Sequence, residues 1–225
     1  MNTNLIPSLK ETLFDPAVSI MSDSLTDIAE LSLDAVLQDS VLKDIPVLGT
    51  IASLCKTGVN LRERNLIRQT AIFITSFNNR SIEQDKLDRY RESLEENPKK
   101  AEKELGRVIL LLDRMLEEKQ SEILGAFYNS YVKGALSWDK FVELTEVNER
   151  MFLADYTELR SIGLKSITQS EDVSDTRMYH VQRLESLGLV MENRYRLHSG
   201  NILSYPDTDD RFVLTSLGMT FYNLM

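Results

Sequence analysis

The chain has 225 residues, a formal net charge of −9, 42% apolar and 27% charged residues. This is the profile of a folded chain with room for one large core or two small ones, and it argues against disorder. Cys55 is the only cysteine, which excludes an intrachain disulfide, and no uncharged run approaches the roughly 18–20 residues of a membrane span.

The N-terminal segment is acidic (Glu11, Asp15, Asp23, Asp27, Glu30), so it is expected not to be a secretory signal and the expected location is cytoplasmic. Residues 1–15 read as a loose lead-in with a turn at Ile6-Pro7. Asp15 and Pro16 suit the cap and first turn of a helix. Val18, Met21, Leu25, Ile28, Leu31 and Ala35 follow at helical spacing, with acids on the opposite face. Pro46 breaks what precedes it. The stretch Ile45–Cys55 reads either as a short buried helix or as an interfacial segment giving peripheral membrane contact. Arg62, Arg64 and Arg68 form a basic patch that could meet anionic lipid, phosphate or the acidic first helix. Leu66, Ile67, Thr70, Ile74 and Phe77 carry one helix over about 59–77. Ser81 and Gln84 have the spacing of a capping box for the next helix, which bears Leu87, Tyr90 and Leu94 and ends at Asn97-Pro98. Its charged outer face reads as solvated i,i+4 pairs.

The clearest pattern runs from Ala101 to Leu159. Leu105, Val108, Ile109, Leu112, Met115 and Leu116 make one apolar stripe. A second helix is expected from Ser121 as N-cap, burying Leu124, Phe127, Tyr128 and Tyr131 and stopping at Gly134. A third is expected from Ser137 to Gly163, burying Phe141, Leu144, Met151, Phe152 and Leu159. Three such helices with short joints predict an antiparallel bundle. The aromatics read as ordinary core rather than a ligand pocket.

After Gly163 the texture changes. A helix opening near Ser170–Asp175 carries Met178, Val181 and Leu184. MENRYRL and RFVLTS read as short strands with Tyr195, Leu197, Phe212 and Leu214 alternating, and SLGMTFYNLM reads as a last helix. Gly163 and Gly188 fit left-handed helix caps. The predicted fold is mainly α: an N-terminal multi-helix bundle over 1–163, then a small α+β module over 164–225.

The stretch Arg177–Val190 and the close FVLTSLGMTFYNL resemble the third helix and the strand–helix end of a winged helix. In DNA-binding members that helix enters the major groove, which points here to Arg177, His180 and Arg183, with Arg194 in the wing, as DNA or partner contacts. The local net charge is −3 over 166–225, which disfavours DNA and favours protein docking, another role of winged helices. The whole layout is similar to bacterial abortive-infection proteins of the alpha type. That resemblance implies a bacterial or phage component of phage defence or counter-defence.

No zinc spacing, phosphate-cradling glycine loop or nucleophile motif occurs. The expectation is therefore no enzyme, no metal and no cofactor. Three functions remain: a non-enzymatic interaction protein docking a protein partner, a winged-helix DNA-binding regulator, and a membrane-acting abortive-infection effector. A homodimer is compatible with each.

Overall fold

The computed structural model describes residues 4–20, 45–54, 60–165, 175–192 and 212–225. Arg194, Tyr195, Leu197, His198, Cys55 and the expected helix beyond Ile20 lie outside the described residues. The chain divides into two compact units, Met1–Glu149 and Arg150–Met225. The sequence placed the change at Gly163. Among the described residues there are eleven helices and two short strands, so the fold is mainly α with a small α+β end.

In the first unit, α1 (Leu5–Phe14) replaces the expected loose lead-in. Pro7 falls within its first turn, where a missing N–H costs no intrahelical bond. Leu5, Leu9 and Leu13 recur every four residues and are buried. After α2 (Pro16–Ile20), α3 (Pro46–Ser53) buries Val47, Leu48 and Ile51 against α1 and α4 (Leu61–Asn78). Thr12 Oγ1 accepts the Val47 N–H at 3.0 Å, satisfying one orphan donor of the α3 start. The apolar side of Ile45–Leu54 is thus already covered by protein. No helix among the described residues is long and apolar enough to cross a membrane.

The helix α4 starts at a capping box that the sequence reading missed, with Asn60 and Glu63 each accepting the other's backbone N–H at 3.0 Å. The box expected at Ser81 does not form. Helix α5 (Gln84–Glu96) begins at Glu83 with no side-chain cap, and Gln84 instead donates to Asp88. Asn97 caps α6 (Pro98–Arg114), its Oδ1 accepting from the Lys100 N–H. Leu105, Val108, Ile109 and Leu112 are buried as the stripe predicts. The helix stops at Met115, however, so Leu116 leaves the stripe and is 79% exposed.

The most extensive helix pair is α4 with α7 (Glu118–Val132). Ser121 lies inside α7, fully buried, and donates to Gln69 Oε1 at 2.6 Å, which is why it does not cap. Gly125 allows the crossing, because a Cβ there would sit 2.6 Å from the Phe73 carbonyl oxygen. Gly134, at φ +76°, ends α7 as expected. Trp138 opens α8 (Trp138–Arg150), which buries Phe141 and Leu144.

The expected third helix is broken at Met151-Phe152, and α9 (Leu153–Gly163) belongs to the second unit. There α9 packs on α10 (Asp175–Ser186), β2 (Phe212–Leu214) and α11 (Ser216–Leu224). Strand β1 (Val190–Glu192) pairs antiparallel with β2, Val190 opposite Leu214. Gly188 has φ +75° and caps α10 as predicted. Gly163 does not take that role. Lys165 holds the positive φ, and Gly163 leaves room for the Tyr222 ring, 2.5 Å from where a Cβ would be.

Candidate functional site

The three described residues singled out for partner or DNA contact lie on one face of α10, and that face meets α9. Arg177, His180 and Arg183 are spaced three apart, close to one helical turn. Across from them α9 presents Asp155 and Glu158, three apart and met in the opposite chain order, Glu158 by Arg177 and Asp155 by His180 and Arg183. Arg177 grips Glu158 in a two-pronged pair, Nε to Oε1 at 2.8 Å and Nη2 to Oε2 at 2.9 Å. The paired carboxylate pushes the Arg177 pKa above its ordinary value, chiefly through this hydrogen bond. His180 Nδ1 lies 2.8 Å from Asp155 Oδ1. Facing a carboxylate, that nitrogen carries the proton. Arg183 Nε donates to Asp155 Oδ2 at 2.9 Å, and its Nη2 reaches the Arg150 carbonyl. The same guanidinium lies 3.6 Å from the Phe152 ring centroid, within cation–π range.

Asp155 is the node of this seam. It is fully buried, and besides the two α10 side chains it accepts the Phe152 N–H at 2.7 Å. That last bond caps α9 and accounts for the helix break at Met151-Phe152. Phe152, expected in the core, is 50% exposed as a consequence. Two buried carboxylates therefore meet two arginines and one histidine. The guanidinium edges facing α9 are committed to protein acceptors.

The sequence reading found the cations and missed their partners. The signal was present: Asp155 sits three residues after Phe152, where an N-terminal capping acid belongs. It was hidden because the apolar spacing continues through the break.

The basic patch is placed differently. Arg62 pairs with Asp113 on α6 and Arg68 with Glu118 on α7, while the acids of the expected first helix (Asp23, Asp27, Glu30) lie outside the described residues. Arg64 is half-buried on the same helix.

A second polar cluster lies inside the bundle and was not foreseen. Glu104, buried on α6, accepts from Tyr90 at 2.8 Å and from Tyr131 at 2.7 Å. The Tyr90 and Tyr128 hydroxyls are 2.6 Å apart. Since the Tyr90 proton goes to Glu104, Tyr128 is the donor in that contact. Burial pushes the Tyr90, Tyr128 and Tyr131 phenols well above their ordinary range, and the Glu104 charge adds to the shift. The rings of Tyr128, Tyr131, Phe141 and Trp138 pack at centroid distances of 5.1–6.0 Å around it in edge-to-face, tilted and stacked pairs, which is core packing, as the sequence predicted for the aromatics. No group of metal-ligating side chains occurs among the described residues.

Comparison with protein-family models, with curated proteins and with solved structures returns no match.

Proposed function

We propose that this chain is a non-enzymatic interaction protein whose winged-helix-like C-terminal unit docks a protein partner. The observation that carries the reading is the α9–α10 seam. Arg177, His180 and Arg183 are the side chains a DNA-reading helix would offer, and they are turned onto Asp155 and Glu158. Reading phosphates with them would mean giving up hydrogen bonds to buried carboxylates, and leaving such carboxylates unpaired is costly. A role in phage defence or counter-defence is part of this proposal and rests on the sequence resemblance alone.

The test is an affinity capture of the tagged full chain from native lysate, with and without nuclease, read by mass spectrometry. The expected result is a stoichiometric protein partner that survives nuclease. Duplex DNA binding is measured in parallel across salt concentration. Each phosphate contact made by a cation contributes about 0.9 to the slope of log affinity against log salt. A slope that drops by about 2 in the Arg177→Ala/Arg183→Ala variant would replace docking with the DNA-binding reading.

A further inference from the structure

The polarity of α9 is mixed on both of its sides. Its two carboxylates, Asp155 and Glu158, lie inward beside Tyr156, Leu159 and Ile162. Its outward face carries Leu153, Thr157, Arg160 and, just past the helix end, Leu164. Leu153 is 52% exposed and Leu164 is 63% exposed. These positions follow the i, i+4, i+7, i+11 pattern of a single helix face, spanning about 16 Å. A helix whose outer face is left to water normally shows charge outward and leucine inward. Here Leu159 and Ile162 pack inward as usual, but two carboxylates are held beside them and Leu153 and Leu164 are left on the outside.

The charge on this face is also unusual for the chain. No acidic residue lies on it, and Arg160 at its centre makes no ion pair among the described residues. Among these residues the α9 face is therefore apolar at both ends and positive between them, on a protein whose net charge is −9.

We propose that the outward face of α9 docks an amphipathic helix of a protein partner, with apolar anchors over Leu153 and Leu164 and an acidic residue opposite Arg160. This inference rests on the docking reading above and names its surface. Charge complementarity selects the occupant. An α9-on-α9 contact between two copies would bring two Arg160 side chains onto one interface with no acid to offset them. A nucleic acid would meet a single unpaired cation, where phosphate binding draws on several. A helix of about three turns matches the length of the face and supplies the i, i+4, i+7 anchors of helix-in-groove recognition.

Three helical peptides test the proposal by fluorescence anisotropy against the full chain. All carry leucines spaced to meet Leu153 and Leu164. The residue facing Arg160 is Glu, Gln or Lys. The Glu peptide is expected to bind tightest and the Lys peptide weakest, with about tenfold between them. Arg160→Glu is expected to reverse that order. Leu153→Asp and Leu164→Asp change exposed positions, so both variants fold, as circular dichroism will check, and both are expected to lose all three peptides. Absence of binding by every peptide, or a ranking that Arg160→Glu leaves unchanged, overturns the proposal. A protein partner captured equally by wild type and by the Leu153→Asp/Leu164→Asp chain overturns this surface while leaving the docking reading intact. Capture of no protein partner removes the docking reading itself. A chain dimer dissolved by the two Asp variants names a second copy as the occupant and overturns the partner helix.

Discussion

Replacing Asp155 with alanine is expected to destabilise the C-terminal unit far more than any change to the cations it holds. The carboxylate is fully buried and accepts three donors, the Phe152 N–H, His180 Nδ1 and Arg183 Nε. Its removal strands a guanidinium whose side chain is only 23% exposed and uncaps α9. Breaking a buried pair by deleting one partner costs about 3–5 kcal/mol, and the lost cap falls within that figure. The contrast is Arg177→Ala. Its side chain is 41% exposed, and its removal leaves Asp155 with all three donors and α9 with its cap, so the loss is expected to be smaller than for Asp155→Ala even though Glu158 gives up its guanidinium. Because the chain holds two units, a single melting curve is the wrong assay. Native-state hydrogen exchange read on peptides covering α9 and α10 isolates the seam. A loss of 3 kcal/mol corresponds to about a hundredfold fall in protection there. If Asp155→Ala lowers α9 and α10 protection less than tenfold, or no more than Arg177→Ala does, Asp155 is not the node of the seam.

The buried phenols make an alkaline prediction. A tyrosine whose folded-state pKa is raised contributes stability that is intact below its unfolded value of about 10 and is lost as the pH rises beyond it. Tyr90 and Tyr128 together imply a loss of about 2.7 kcal/mol per pH unit above 10, with a smaller share from the more exposed Tyr131. Urea midpoints at pH 9, 10 and 11 should show that steep fall, and it should be shallower in Tyr90→Phe/Tyr128→Phe. Glu104→Leu leaves the Tyr90 and Tyr131 hydroxyls without their acceptor and is expected to cost about 1–3 kcal/mol at neutral pH, whereas Glu104→Gln keeps an acceptor and costs less. Two helix glycines should respond with opposite signs in native-state hydrogen exchange read on their own helices. Gly106→Ala meets nothing closer than 3.7 Å and should stabilise by about 0.5–1 kcal/mol. Gly125→Ala would press on the Phe73 carbonyl at 2.6 Å and should destabilise by about 1–3 kcal/mol.

The fold and the site were unequally legible in the sequence, for one physical reason. Burial of Leu105, Val108, Phe127, Tyr128, Phe141 and Leu144 follows from spacing along a single helix, a local property that a sequence displays directly. The polar clusters join residues far apart in the chain. Glu104 is satisfied from Tyr90 and Tyr131, and Asp155 from His180 and Arg183. A carboxylate that will be buried looks the same in sequence as one that will be solvated, because what distinguishes them arrives from another helix. Reading Ser137–Gly163 as a single helix has the same origin. Apolar spacing runs unbroken through Met151, Phe152 and Leu159, and a helix interruption set by a capping carboxylate leaves that spacing untouched. The residue at the break is Asp155, which also holds His180 and Arg183 of α10. Recognising the break would have placed Asp155 at the start of a helix packed on α10, and with it the carboxylates onto which the α10 cations are turned.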